Sequence, residues 1–252
     1  MKKNNEYLLT GGTGTLGKEL IKIFNTQGVS FVAPSSAECN VLNEKDVDFY
    51  VKNSEQIIHA AAKTDVKRIE KNPEAAIDTN VTGTTNVLKA CMKYNKKIIF
   101  ISTDHVFDGK KGNYSIFDYI NPISKYAKTK AAAEMLVRTY ENHMIIRTSF
   151  FDHTFPYENA FVNQWSSKDY IDIIAPKIFN AIISNKQGIV HIGSQRRTLY
   201  DIALSRDNDR EVKKAYREEY KLGVFLAKDY SLNTCEKQHK LLTKEEQNDT
   251  II

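Results

Sequence analysis

The chain has 252 residues, 41% hydrophobic and 27% charged, enough for one large α/β domain or one domain with a small appendage. No apolar run approaches the roughly 18 residues that a membrane helix needs, and Met1-Lys2-Lys3-Asn4-Asn5-Glu6 leads straight into a strand-like segment, so no signal peptide is expected. The net charge of +5 is mild and its lysines are spread out, which argues against a nucleic-acid surface, while Cys39, Cys91 and Cys235 are scattered, odd in number and outside any CxxC, as in a reduced cytoplasmic protein.

Strand and helix signals then alternate. Residues 6–9 predict a buried first strand. Residues 15–26 predict a helix, with Leu16, Leu20, Ile21, Ile23 and Phe24 at helical period. A second strand at 29–33 is stopped by Pro34, and a short helix follows at 43–52. The third strand is 56–59. A long helix at 73–94 tolerates Pro73 in its first turn. The fourth strand, 97–102, is short and wholly apolar at its centre, the pattern of a strand covered on both faces. A helix at 123–141 and a fifth strand at 144–147 complete the series. The alternation predicts an α/β fold built on a parallel, doubly wound Rossmann sheet.

After Phe151 the pattern loosens. A helix is expected at 169–184, kinked at Pro176, then a strand at 188–192, a helix from 199, and a polar surface helix at 210–220. The tail from about 241 is charged and expected to fray. The expected organisation is a nucleotide domain over 1–150 and a small, shortened, partly interleaved substrate lobe over 151–252.

Between the first strand and helix stands Thr10-Gly11-Gly12-Thr13-Gly14-Thr15-Leu16-Gly17. A pyrophosphate approaches backbone at a helix N-terminus, where free N–H groups and the dipole favour anions, and a side chain there would block it. The strand-then-helix context makes this a dinucleotide signal rather than a simple turn. Two frames fit the glycines, Gly12-x-Gly14-x-x-Gly17 and Gly11-x-x-Gly14-x-x-Gly17. About 20 residues further on, a dinucleotide fold often carries an acid for the ribose 2′-hydroxyl. Here the chain reads Val32-Ala33-Pro34-Ser35-Ser36-Ala37, and Glu38 comes late. With no carboxylate at that place and with Ser35 and Ser36 as donors, NADP(H) is favoured over NAD(H).

A second signal is Tyr126-x-x-x-Lys130. Residues four apart share a helix face, and a neighbouring ammonium is expected to lower a tyrosine pKa from about 10 towards neutrality. Tyr126 would then serve a carbonyl/alcohol pair as proton donor or acceptor. In a chain with 13 tyrosines, position gives the pair its meaning. It follows the fourth strand, which ends in Ser102-Thr103-Asp104, so a hydroxyl can reach the same substrate oxygen.

These pieces together resemble the extended short-chain dehydrogenase/reductase family, and within it the dTDP-4-dehydrorhamnose reductases. The resemblance lies in the glycine loop, Asn40-Val41, His59-Ala60-Ala61-Ala62-Lys63-Thr64, Asn80-Val81-x-Gly83-Thr84-x-Asn86, Ser102-Thr103-Asp104-His105-Val106-Phe107-Asp108-Gly109, Tyr126 with Lys130 and Glu134, and Arg147-Thr148-Ser149. It is good over residues 7–150 and thinner beyond, where residues 188–193 and Asp229-x-Ser231-Leu232-Asn233-Thr234 still look like that family's C-terminal lobe.

The resemblance implies the Gly11 frame, in which Gly11 makes the turn, Gly14 admits the pyrophosphate, Gly17 packs helix on sheet, and Thr13, Thr15 and Leu16 surround the phosphates. It implies a catalytic set of Thr103, Tyr126 and Lys130. Tyr126 would protonate the C4 oxyanion as NADPH delivers hydride to a nucleotide-linked 4-keto-6-deoxy sugar of the dTDP- or UDP-4-keto-rhamnose type. Lys130 would hold the nicotinamide ribose and Thr103 would orient the carbonyl. Asn40 and Val41 would hold adenine, Ser35 and Ser36 the 2′-phosphate, and Ala61, Ala62, Thr64, Asn80 and Ser102 would line the cofactor cleft. Asp104, His105, Val106 and Phe150 would face the substrate. His105 stands where these reductases commonly carry Tyr, and Phe150 where Trp often follows Arg-Thr-Ser.

The same scaffold serves sugar-nucleotide epimerases and dehydratases. The regulatory β subunit of methionine adenosyltransferase also looks like these reductases and keeps the Tyr and Lys. A binding subunit with an enzyme partner is therefore the alternative, and the shortened lobe favours it slightly. A nucleotide-sugar ligand is expected, with no nucleic acid or membrane, and a homodimer is left open. His143, His153, His191 and His239 show no metal spacing.

Overall fold

The computed structural model describes residues 5–206, 211–219 and 227–235. Its first half runs β1 (Asn5–Thr10), α1 (Thr15–Gln27), β2 (Phe31–Val32), α2 (Glu44–Lys52), β3 (Ser54–His59), α3 (Val66–Lys71), α4 (Glu74–Ala76), α5 (Gly83–Tyr94), β4 (Lys97–Thr103), α6 (Lys125–Val137) and β5 (His143–Thr148). The second half contains β6 (Phe150–Phe151), β7 (Asn159–Phe161), β8 (Trp165–Ser166), β9 (Asp169–Tyr170), α7 (Ile171–Ile183), β10 (Gly188–Ile192), β11 (Arg197–Thr198), α8 (Leu199–Leu204) and β12 (Lys213–Ala215).

Paired apolar residues explain the central layer. Successive side chains on a strand point to opposite faces, so a strand buried on both faces needs two apolar residues in a row. Leu8 and Leu9, Ile57 and Ile58, Ile98 and Ile99, and Ile145 and Ile146 are such pairs, and all are at most 1% exposed. One member of each meets Val47 and Val51 of α2, Val87 and Cys91 of α5, and Ala133 and Val137 of α6. Leu9, Ile58, Ile99 and Ile146 meet Leu20 and Phe24 of α1 and Ile174, Ile178 and Ile182 of α7 on the other face. Six parallel strands result, in the order β10-β5-β4-β3-β1-β2. Every residue of β4, at the centre, is buried. The α/β, doubly wound parallel sheet is thus the architecture of this chain.

Two later elements, α7 and β10, complete that sheet and its cover, so the central layer draws on residues beyond 150. The rest of the second half forms pairs of very short strands, β6 with β9, β8 with β11 and β7 with β12. These surround a small core of Phe151, Phe155, Tyr170, Ile202 and Val212.

Local departures have identifiable causes. The helix expected over 73–94 is interrupted by a π-helical turn at Ile77–Thr82, between α4 and α5. β2 is only Phe31–Val32. α6 is shorter than 123–141: it starts at Lys125, where the Ser124 side chain caps it by accepting from Ala127 N, and ends at Val137. The surface helix expected at 210–220 is corrected: Lys213–Ala215 is a strand paired with β7, followed by a 3-10 turn at Arg217–Glu219. Backbone pairing with the lobe outweighs the weak helical preference of that polar stretch. Residues 210 and 220, His239 and the tail from 241 lie outside the described residues. α7 continues through Pro176. Among the described residues, no helix is long and apolar enough to cross a membrane.

Candidate active site

The carboxyl ends of β1, β3 and β4 converge on one cleft, the edge where open α/β sheets bind ligands. At β1 the glycine loop turns into α1. Gly11 has φ +77°, and a Cβ there would lie 2.7 Å from Ala61 N, because the loop is pressed onto the end of β3. A Cβ on Gly17 would lie 2.3 Å from Gly11 O. These two glycines are sterically required, whereas a Cβ on Gly14 would meet only Gly11 O, at 3.4 Å. Gly14 is the N-cap of α1, with no side-chain cap and no acidic residue in the first turn. The first-turn amides are therefore left for an anion. Leu16 is buried in the core, Thr13 is exposed, and the Thr15 hydroxyl lies 3.4 Å from Asp152 Oδ2.

Beneath the loop is a polar network that sequence reasoning missed. The Thr84 hydroxyl donates to Asn80 O at 2.6 Å, which leaves it accepting from His59 Nε2 at 3.0 Å. His59 Nδ1 then accepts from the Thr10 hydroxyl at 2.8 Å, and Thr10 accepts from Ala61 N at 3.4 Å. Burial, aided by the charge of Lys130, pushes His59 down to about 3, so the imidazole is neutral. The only sequence signal was its place at the head of His59-Ala60-Ala61-Ala62. Asn80, in the π turn, accepts from Lys63 N at 2.8 Å and donates to Lys63 O at 3.0 Å and Thr129 Oγ1 at 2.9 Å. It shapes the cleft through the backbone next to exposed Thr64. Val41 is held from behind by Asn86 Nδ2, which donates to Val41 O at 3.0 Å, and exposed Asn40 accepts from Leu42 N at 3.0 Å.

At β4 the structure brings Thr103, Tyr126 and Lys130 together. Thr103 Oγ1 accepts from His105 N at 3.2 Å and donates to Asp104 Oδ1 at 3.1 Å, and it is near enough to the Tyr126 phenol to favour its ionised form. Lys130 Nζ donates to Ile101 O at 2.8 Å and lies 4.1 Å from the Phe100 ring centroid. Burial pushes Lys130 down to about 7, opposed by Glu134 one turn further on. Tyr126 behaves contrary to the sequence expectation. Its pKa is pushed up to about 12, by burial first and by Asp104, with Thr103 opposing. The ammonium turns to a carbonyl and a ring face, and desolvation dominates at the phenol. Tyr126 therefore remains a protonated phenol, the form that can donate.

Behind this trio, Ser102 Oγ donates to Glu134 Oε2 at 2.6 Å, and Arg147 Nη2 donates to Glu134 Oε1 at 2.6 Å. Both members of the ion pair are at most 1% exposed. Arg147 also lies over the Phe107 ring at 5.0 Å and reaches His191 Nε2 at 3.3 Å.

The substrate side is mixed. Asp104 is 1% exposed, and its Oδ2 has no hydrogen-bond partner among the described residues. His105 stacks on Tyr230 at 4.4 Å and meets Tyr126 edge-on at 6.1 Å. Burial lowers its pKa and favours the neutral ring, against the pull of Asp104. Tyr230 comes from the segment 227–235, whose Lys228 and Asp229 amides donate to Gly109 O at 2.9 and 2.8 Å. Phe150 is half-buried. Val106 differs: it is 0% exposed and packs with Phe107, Tyr114, Ala131 and Leu232, so it presents no surface to a ligand.

Residues 5–175 match the RmlD substrate binding domain family. The chain is 35% identical over 182 residues to dTDP-4-dehydrorhamnose reductase of Aggregatibacter actinomycetemcomitans, covering 68% of this chain and 60% of that protein. It is 32% identical over 143 residues to methionine adenosyltransferase 2 subunit beta of Bos taurus, covering 53% and 43%. The chain thus spans 60% of the length of the first of these curated relatives and 43% of the second. Among solved structures, a hypothetical dTDP-4-dehydrorhamnose reductase from Sulfolobus tokodaii superposes with TM-score 0.80 at 25% identity, over 94% of this chain and 95% of that one. A dTDP-4-dehydrorhamnose reductase from Bacillus anthracis str. Ames in complex with NADP shares the fold, with TM-score 0.82 at 22% identity, over 96% and 99%. Both superpositions take in the small lobe as well as the sheet.

Proposed function

This chain belongs to the RmlD substrate binding domain family, and from that premise we propose that it is an NADP(H)-dependent oxidoreductase. Its reaction is reduction of the C4 keto group of a nucleotide-linked 4-keto-6-deoxy sugar of the dTDP- or UDP-4-keto-rhamnose type. The observation that carries this reading is the meeting of Thr103, Tyr126 and Lys130 at the end of β4, beside the glycine loop. The uncapped start of α1 and the open approach at Gly14 suit a pyrophosphate. Residues 1–150 supply the cofactor cleft, with Ser35, Ser36, Asn40 and Val41 on its adenosine side and Ala61, Ala62, Thr64 and Asn80 along it. Beyond residue 150, the described residues outside α7 and β10 supply the lobe on the sugar side.

The bound nicotinamide supplies the hydride. The protein's own residues handle the oxygen and the proton. Thr103 and Tyr126 converge on one carbonyl oxygen, and Tyr126, held as a phenol, releases its proton there as negative charge develops. Lys130, its ammonium seated on Ile101 O, would hold the ribose. His105 faces the sugar, and buried Asp104 stands behind it, accepting from the Thr103 hydroxyl.

The test is turnover by the purified chain with NADPH and either dTDP- or UDP-4-keto-rhamnose, followed by reduced-nicotinamide absorbance. No oxidation with either substrate would sink the reading. The alternative, a regulatory subunit, is motivated by the match to methionine adenosyltransferase 2 subunit beta. Stoichiometric recovery of a partner enzyme without turnover by the chain alone would select it.

A further inference from the structure

We propose that Asp152 competes with the dinucleotide for the start of α1, so that cofactor binding unclips the small lobe from the nucleotide domain. The inference rests on the reading above that the glycine loop holds a pyrophosphate.

In sequence, 137 residues separate Asp152 from Thr15. The sheet brings them together. Its strands are parallel, so the chain leaving β5 emerges at the same edge as the chain leaving β1. The two residues of β6 follow, and the next two, Asp152 and His153, lie against α1. Thr15 Oγ1 donates to Asp152 Oδ2 at 3.4 Å. One turn further along the helix, Glu19 Oε1 accepts from His153 Nε2 at 3.0 Å. The other oxygen of Asp152 accepts from His153 N at 2.8 Å, which ties the carboxylate to its own loop. Arg206 holds that loop from behind. It donates to His153 O at 2.7 Å and to both oxygens of Asp172 in α7, at 2.9 and 2.7 Å.

Thr15 is the first residue of α1, directly after Gly14, which provides no side-chain cap. A helix start with free N–H groups favours a nearby anion. Here the lobe itself supplies one, placed on a hydroxyl of the first turn. A pyrophosphate seeks the same turn and is also negative, so the two repel each other there.

The clip is built to yield. Asp152 and His153 are exposed, with side chains 62% and 51% accessible, and exposed ion pairs contribute little. A cavity of about 470 Å³ lies between α1 and these two residues, with Lys18 on its wall. A displaced carboxylate therefore has both room and a cation to turn to. Release reaches the sugar side directly, because Asp152 continues the strand that carries Phe150, itself paired with Asp169 of β9. The dinucleotide thus frees the end of β6 before the sugar arrives.

The test is stopped-flow fluorescence of the full chain with NADPH, and with NADH in parallel, without sugar, at low and high salt. Asp152→Asn keeps an acceptor for Thr15 and removes the charge. Its association rate should rise about fivefold at low salt, the size of one like-charge pair near contact in water. The gain should shrink at high salt and be the same for both dinucleotides, which share the pyrophosphate. Dissociation should stay within about twofold, because the carboxylate has left the site once the dinucleotide is in. Hydrogen exchange gives a second readout. In the unsubstituted chain, either dinucleotide should speed exchange in the peptide covering 150–156, where His153 N loses its hold on Asp152. A contact that only staples the lobe predicts the opposite. Association of Asp152→Asn within twofold of the unsubstituted chain, or slower, overturns the inference, as does protection of the 150–156 peptide, and in both cases the cofactor reading stands. If neither dinucleotide binds, the cofactor reading fails first and takes this one with it.

Discussion

Raising the pH through neutrality should switch off the reductive reaction, because the Lys130 ammonium is weakly held. Burial brings Lys130 from the ordinary lysine value of 10.5 to about 7. Its carbonyl bond to Ile101 and its place over Phe100 offset only part of the lost hydration. The competent form is the protonated one, present below about 7 and lost above it. About half the molecules carry the ammonium at the break, about a tenth one pH unit higher and about a hundredth two units higher. Tyr126, pushed up to about 12, stays protonated throughout and adds no limb in this window. The kcat/KM for NADPH reports the free enzyme. Measured from about pH 5.5 to 9, it should be flat at first and then fall about tenfold per unit. Lys130→Arg keeps a permanent charge, so its profile should be flat even though its rate is lower. Glu134→Gln removes the carboxylate that favours the ammonium, and should move the break to lower pH. A flat wild-type profile, or a break that Glu134→Gln leaves in place, would refute the reasoning.

Three further outcomes are expected. Tyr126→Phe keeps the ring and removes the proton, so kcat should drop by about 10²–10⁴-fold with NADPH binding little changed; a loss under tenfold counts against the assigned role. His59 has its folded pKa depressed to about 3, so its contribution to stability is full above its unfolded value of about 6.5 and is lost as pH falls towards 3. Between pH 6.5 and 5 this amounts to about 2 kcal/mol, which urea unfolding should show for wild type but not for His59→Gln. Gly17→Ala places a methyl 2.3 Å from Gly11 O, and should destabilise the chain by about 1–3 kcal/mol while weakening NADPH; equal melting curves would show that the loop yields.

The central sheet was legible because doubly buried strands must carry adjacent apolar residues, and Leu8-Leu9, Ile57-Ile58, Ile98-Ile99 and Ile145-Ile146 do so visibly. Thr103, Tyr126 and Lys130 were legible because their positions follow from one strand end and one helix face. Other features depend on contacts that no spacing announces. The π turn at Ile77–Thr82 contains Asn80, whose amide bonds Lys63 backbone and Thr129, 17 and 49 residues away. The strand at Lys213–Ala215 exists because β7 offers it a partner. The Tyr126 pKa went the opposite way because i,i+4 spacing describes proximity on a helix and says nothing about burial.

Proton transfer needs a site whose dipoles are fixed before the reaction begins, and the structure divides its polar groups accordingly. Ser102, Glu134, Arg147 and His191 bond one another beneath the end of β4. Two buried cations, Arg147 and Lys130, share the single carboxylate of Glu134, whose oxygens take Arg147 and Ser102 and whose charge also favours the Lys130 ammonium. Removing any one of them leaves a charge or donor without compensation in a desolvated place, which is costly. On the other side of Thr103 stand the Tyr126 phenol, the neutral His105 ring and Asp104 with one unbonded oxygen. An ion-paired lower layer therefore holds the layer that faces the reacting oxygen. Conservative changes in the lower layer should disturb stability and the pH profile together, whereas changes at Asp104 or His105 should act chiefly on sugar binding.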